Sequence, residues 1–79
     1  MSVEEQVKDI VSKIAHIDKD IMSRESTFKE MKADSLDIVQ ALVAIEEQFD
    51  IEIPDEEAQK FRNFGDFVSF VEQEVAKKG

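Results

Sequence analysis

Seventy-nine residues with six phenylalanines and a 42% hydrophobic share suffice for one small core and not for two, so one domain spanning 1–79 is expected. The chain has no cysteine, which excludes disulfides, thiolate metal sites and catalysis by a thiol of its own. A net charge of −9 argues against nucleic acid as a partner, because binding there requires Lys and Arg to displace counterions.

The distribution of charge says more than its total. Nine acids lie between Ala33 and Glu57 (Asp34, Asp37, Glu46, Glu47, Asp50, Glu52, Asp55, Glu56 and Glu57) with no Lys or Arg among them. The rest of the chain holds ten acids and ten bases and is neutral. The segment is suited to proteins with basic patches, with fast, salt-sensitive association. The opening Met1-Ser2-Val3-Glu4-Glu5 is acidic and lacks an apolar signal core, and no apolar run nears the ~20 residues of a membrane span. A cytoplasmic protein without membrane contact is expected.

Ser2 and Glu5 form an S-x-x-E capping box, and Val3, Val7, Ile10, Val11 and Ile14 follow at helical spacing. This predicts a helix over Val3–Ala15, with Lys8 and Lys13 facing solvent. Periodicity then fails from His16 to Ala33, where Asp18, Asp20, Ser23, Ser26 and Thr27 favour turns. A loop this long needs anchoring, and the scattered Ile17, Ile21, Met22, Phe28 and Met31 suggest that it is pinned across the core, with a short helical turn near Phe28–Met31.

Asp34 is a good N-cap, with Asp37 at N3 as a shorter version of the capping-box acid, and the second helix is predicted to run to about Phe49. Ile38, Leu42, Ile45 and Phe49 define its core face. Leu36 and Val43 point away from that face, bordered by Gln40 and Glu47 on one side and Glu46 and Asp50 on the other. Ile51 and Ile53 belong to an extended connector, and Pro54 precedes a short helical turn from Asp55 to about Phe61, with Ala58 and Phe61 inward. Asn63 caps a last helix with Asp66 at N3 and Gly65 tolerated in its first turn. Phe64, Val68, Val71 and Val75 form its stripe, with Phe67 at the edge, and Lys77 and Lys78 suit its C-terminal dipole. The expected fold is all-α: a small bundle of three main helices plus one short one, with a long first loop.

Catalytic equipment is sparse. His16 is the only histidine, Tyr and Trp are absent, and Asp34 with Asp37 is more readily a cap than an acid/base pair. The acids from Asp50 to Glu57 lack the glycine of a D-x-[DN]-x-[DN]-G calcium loop, so a solvated acidic face is expected and no metal site is assigned. Ser35 is set apart by its place: at N1 of a helix, where unsatisfied N–H groups and the positive end of the dipole favour a phosphate, although Asp34 and Asp37 oppose one. Taken alone, an ordinary helix-start serine remains open. So does an ordinary exposed pair at Leu36 and Val43, although an apolar centre inside an acidic rim fits a docking face.

The run Phe28-Lys29-Glu30-Met31-Lys32-Ala33-Asp34-Ser35-Leu36-Asp37, the segment Ala44-Ile45-Glu46-Glu47-Gln48-Phe49-Asp50-Ile51-Glu52-Ile53-Pro54-Asp55-Glu56-Glu57-Ala58 and Asn63-Phe64-Gly65-Asp66 together resemble acyl carrier proteins. Asp-Ser-Leu alone is a weak signal; with the Glu-Glu-x-Phe-Asp-Ile-x-Ile-Pro-Asp segment at its usual distance it is highly specific. The resemblance implies that Ser35 carries 4′-phosphopantetheine, added from coenzyme A by a phosphopantetheinyl transferase, and that acyl chains ride as thioesters on its thiol. It implies a monomeric carrier rather than an enzyme, serving fatty-acid synthesis enzymes with basic docking patches. Asp34, Leu36, Asp37, Val43, Glu46 and Glu47 match the family's partner-contact positions. Phe28, Ile38, Ile45, Ile53, Ala58 and Phe61 match positions that line an acyl pocket. Carriage for a polyketide or lipid A-type pathway, or a carrier-like interaction subunit with an unused serine, are the alternatives. Two departures stand out: Lys32 replaces a usual glycine, strained if the backbone there still needs positive φ, and Gln40 replaces a frequent acid.

Overall fold

The computed structural model describes residues 2–32 and 34–78. Four helices follow in order: α1 (Val3–Ala15), α2 (Ser35–Phe49), α3 (Asp55–Ala58) and α4 (Phe64–Lys78), with a 3-10 turn at Lys19–Ile21 inside the first loop. No strand occurs among the described residues, and the fold is the expected all-α bundle. The Ser2 hydroxyl accepts from Glu5 N at 3.2 Å to start α1. That helix lies against both α2 and α4.

α1 and α2 end in the same way. His16 (φ 56°) and Asp50 (φ 55°) are left-handed, and each is followed by a buried isoleucine, Ile17 and Ile51. Their amides turn back: Ile17 N reaches Ser12 O at 3.3 Å, and Ile51 N reaches Glu46 O at 3.1 Å. This satisfies carbonyls that a helix end leaves unpaired and drives the next side chain into the core. At α2 the Lys78 ammonium adds bonds to Phe49 O (3.2 Å), Asp50 O (2.6 Å) and Asp50 Oδ2 (2.8 Å). A cation thus sits at the negative end of a helix whose last turn has no base of its own. The hydrogen bond from Lys78 also holds the Asp50 carboxyl below its usual range.

The core gathers Val7 and Val11 of α1, Ala41 and Ile45 of α2, Ile51 and Ile53 of the connector, and Phe64, Phe67, Val68 and Val71 of α4. Two helical stripes differ from expectation. On α2 the most buried residues are Ala41 and Ile45, while Ile38, Leu42 and Phe49 are only half-buried. Ala41 lines the interior beside Val11 and Ala15 of α1, and the bulkier residues are less deeply buried. On α4, Phe67 is central rather than marginal, 2% exposed and surrounded by the rings of Phe28, Phe61 and Phe64 at centroid distances of 6.2, 5.6 and 6.2 Å. α3 closes at Ala58, short of Phe61, with the turn continuing through Lys60.

The long loop is pinned as expected by Ile17, Met22 and Met31, all buried, whereas Ile21 stays half exposed. Its polar anchor is Arg24. The guanidinium donates to Glu4 Oε1 at 2.6 Å and to Ser69 Oγ at 2.8 Å, tying the loop to α1 and α4. That hydrogen bond lowers the Glu4 pKa. The loop backbone also caps α4: Gly65 N donates to Arg24 O and Phe64 N to Ser26 O, each at 2.8 Å. Asn63 Oδ1 accepts from Asp66 N at 2.8 Å, as the cap prediction requires.

Gly65 is therefore more than tolerated. A Cβ at this position would lie 2.7 Å from Arg24 O and 3.0 Å from Arg24 Cβ. In an unconstrained helix Gly→Ala stabilises by about 1 kcal/mol. Here Gly65→Ala is expected to destabilise by about 1–3 kcal/mol, read as a lower urea midpoint, because the loop must shift to admit the methyl. An unchanged or higher midpoint would refute the close contact.

Candidate carrier site on the second helix

The site starts one turn upstream of α2. Thr27 and Glu30 cap each other, Glu30 Oε1 accepting from Thr27 N and Thr27 Oγ1 accepting from Glu30 N, both at 3.0 Å. The Thr27 backbone amide, and after it the Thr27 hydroxyl, hold the Glu30 carboxyl below its usual range. The single turn that follows closes with Met31 N on Thr27 O (3.1 Å) and Lys32 N on Lys29 O (3.0 Å). Lys32 then takes φ 57°, so the left-handed conformation is retained although the side chain has a Cβ. Ala33 lies outside the described residues.

Asp34 caps α2 with extended backbone (φ −73°, ψ 141°), its Oδ1 accepting from Leu36 N at 3.1 Å. The bond closes on the amide of N2. Ser35 is the first helical residue and is exposed, its hydroxyl free of the core. Asp37 is half-buried in the same turn.

Ser35 opens onto a surface groove of about 290 Å³ walled by Ile38, Val39 and Leu42 of α2 and by Asp55, Ala58 and Gln59 around α3. Beneath it lies an apolar cavity of about 40 Å³ that shares Ile38, Leu42 and Ala58 with the groove. Its other walls are Val11 and Ala15 of α1, Ala41 of α2, Phe28, Phe61 and Phe67. Of the six expected pocket residues, Phe28, Ile38, Ala58 and Phe61 meet at this cavity. Ile45 and Ile53 do not; both are packed in the core, at 0% and 7% exposure. Four lining residues were not anticipated from the sequence: Val11, Ala15, Ala41 and Phe67. Leu42 was assigned to the core instead. Ala15 and Ala41 carried no signal by hydropathy, since their contribution is the space they leave.

The outward face of α2 carries Leu36 (64% exposed), Val39 (55%) and Val43 (47%). Val39 was missed, although its spacing, three after Leu36 and four before Val43, places it on the same stripe. Glu47 is exposed beside it. Glu46 is committed elsewhere: its Oε2 accepts from Ile53 N at 2.8 Å, tying α2 to the connector that leads into α3. Of the six expected contact residues, Asp34 and Glu46 thus also hold backbone, whereas Leu36, Val43 and Glu47 present exposed side chains.

The phosphopantetheine attachment site family matches residues 5–71. An acyl carrier protein of Clostridium acetobutylicum is 48% identical over 68 residues, covering 85% of this chain and 88% of that one. One from Bdellovibrio bacteriovorus is 42% identical over 74 residues, covering 92% and 95%. The chain belongs to the acyl carrier protein family. The solution structure of holo acyl carrier protein from Geobacter metallireducens superposes with a TM-score of 0.84 at 26% identity, over 99% of this chain and 91% of that one. The prosthetic group is 4′-phosphopantetheine, and the carrier role implies acyl chains as cargo and a phosphopantetheinyl transferase that installs the group. Ser35 is exposed and borders a largely apolar groove. Among the described residues no helix is long and apolar enough to cross a membrane.

Two substitutions check this geometry. Lys32→Gly is expected to stabilise by about 0.5–1 kcal/mol, the left-handed penalty being only partly offset by glycine's freedom in the unfolded chain. That corresponds to a rise of a few degrees in Tm; a fall would contradict the positive φ. Glu46→Ala leaves the Ile53 amide without its acceptor and is expected to cost about 1–2 kcal/mol. Glu47→Ala, on the exposed rim, is expected to stay within about 0.5 kcal/mol of the parent. Equal losses in chemical denaturation would dismiss the Glu46 bond as a structural tie.

Proposed function

We propose that Ser35 is the attachment residue and that the protein is a discrete, single-domain carrier that shuttles acyl intermediates between enzymes of fatty acid biosynthesis. The observation that carries this reading is that the exposed Ser35 borders the groove between α2 and α3, which shares the walls Ile38, Leu42 and Ala58 with the apolar cavity of the bundle. When bound, the group supplies the thiol that the chain lacks, on which acyl chains ride as thioesters.

The protein's own residues contribute placement. Asp34 fixes the first turn of α2, so that the Ser35 Oγ projects at the positive end of a fifteen-residue helix, a favourable setting for a phosphodiester. The groove's apolar walls remove part of a passing chain from water, and the cavity receives its end. No group of the chain is required to form or break the thioester, in keeping with a carrier that is not itself an enzyme.

The docking surface in this reading is the stripe of Leu36, Val39 and Val43 with Asp34, Asp37, Glu46 and Glu47 around it. It suits synthases and transferases that offer an apolar socket inside a basic rim. A monomeric, cytoplasmic protein accords with a face kept open for successive partners.

Incubation with coenzyme A and a phosphopantetheinyl transferase is expected to add one phosphopantetheine mass to the parent and none to Ser35→Ala. Intact mass spectrometry reads both. No gain on the parent, or equal gain on the variant, would overturn the assignment of Ser35.

A further inference from the structure

We infer that Lys32 is a positioning residue for the prosthetic arm: its ammonium pairs with the phosphodiester that joins 4′-phosphopantetheine to Ser35. The inference rests on the assignment of Ser35 proposed above and adds to it a residue of the first loop.

A phosphodiester on Ser35 brings a negative charge into an acidic neighbourhood. Asp34 precedes the serine, Asp37 shares its turn, and Asp55 walls the groove that the serine borders. No Lys or Arg occurs from Ala33 to Gln59, so the nearest base along the chain is Lys32, three residues before the serine. Three peptide units separate the two Cα atoms by at most ~11 Å, a gap that the lysine stem and the serine–phosphate linkage close from either end.

The Lys32 side chain is available for that role. It is exposed, and the carboxylates nearest to it along the chain are engaged with backbone: Glu30 Oε1 accepts from Thr27 N at 3.0 Å and Asp34 Oδ1 from Leu36 N at 3.1 Å. Lys8, Lys19, Arg24, Lys60, Lys77 and Lys78 each pair with a carboxylate, whereas Lys32 pairs with none among the described residues. The turn also fixes its root, since Lys32 N donates to Lys29 O at 3.0 Å and φ is 57°. The other left-handed residues, His16 and Asp50, are of types enriched in that region, and lysine is not. Backbone strain held at an exposed residue beside an attachment serine points to a functional constraint. An ammonium on a flexible stem suits the constraint, because it can follow a phosphate that moves with its arm.

The parent, Lys32→Gln, Lys32→Arg and Lys29→Gln are each converted with coenzyme A and a phosphopantetheinyl transferase, and intact mass confirms the attachment. Two quantities are then read: the change in Tm from the unmodified to the modified form, and the phosphorus NMR resonance of the phosphodiester. Gln and Arg both keep a Cβ, so the cost of the left-handed backbone cancels in the change of Tm. At low salt that change is expected to be more favourable in the parent than in Lys32→Gln by about 1–4 °C. Lys32→Arg should retain the difference, and Lys29→Gln should lose less than half of it. At ~0.5 M NaCl, where screening acts over a few Å, the difference should close and the parent's phosphorus resonance should move toward that of Lys32→Gln. Equal changes in Tm for the parent and Lys32→Gln at low salt, with coincident phosphorus resonances, overturn the pairing. So does a loss in Lys29→Gln as large as that in Lys32→Gln, which assigns the effect to the general field of the loop. No mass gain on the parent overturns the Ser35 reading instead.

Discussion

The contact on which the structure depends is the seat of Arg24 against the first turn of α4. Among the described residues, the seventeen from His16 to Lys32 form only short turns, and α4 begins with amides that no earlier turn can satisfy. Each deficiency resolves the other. The Arg24 and Ser26 carbonyls take the Gly65 and Phe64 amides, while the Arg24 side chain reaches Glu4 and Ser69 on two different helices. Only a residue without a Cβ allows that approach, so Gly65 and the loop are parts of one joint. The joint fixes α4 relative to α1, and with it the aromatic wall facing α2.

Against that rigid side, α2 and α3 form the adaptable one. α3 has four residues and no side-chain cap at Pro54, so its placement depends on what flanks it. One tie is the Glu46 bond to Ile53 N, and another is the burial of Ile51 and Ile53. The cavity opens between these two sides, and empty apolar volume of this size costs about 1 kcal/mol at ~24 cal/mol per Å³. In the proposed carrier role, cargo that filled it would recover that cost and add burial of its own methylenes, about 0.8 kcal/mol each. A small bundle with only a few kcal/mol of net stability would then be more stable loaded than empty.

The sequence was most legible where one periodic signal determined the outcome. α1 runs over Val3–Ala15 as its capping box and stripe indicate, and Asp34 and Asn63 cap the helices they precede. It was least legible where the decisive quantity was absence of bulk. Ala41 outranks Ile38 and Leu42 in burial because helix packing rewards close approach, which a hydropathy stripe does not measure. Phe67 was placed at the edge because the wheel of α4 has no knowledge of Phe28 and Phe61, which approach from elsewhere in the chain. The left-handed Lys32 shows the reverse: a departure from glycine in the sequence did not alter the backbone, which keeps φ at 57° and carries the strain.

The acidic segment also changes meaning once its atoms are placed. Nine acids without a base suggest a uniform negative field, yet Asp34 is bonded to the Leu36 amide, Glu46 to the Ile53 amide and Asp50 to the Lys78 ammonium. Each of these carboxylates completes a helix end or a connector, using its charge within the fold. A partner's basic rim that competed for Glu46 would pull on the connector into α3, and so on the wall of the groove that Ser35 opens. The charge offered outward is accordingly smaller than composition implies, and on the proposed docking surface the exposed stripe of Leu36, Val39 and Val43 would bear more of the discrimination between one partner and another.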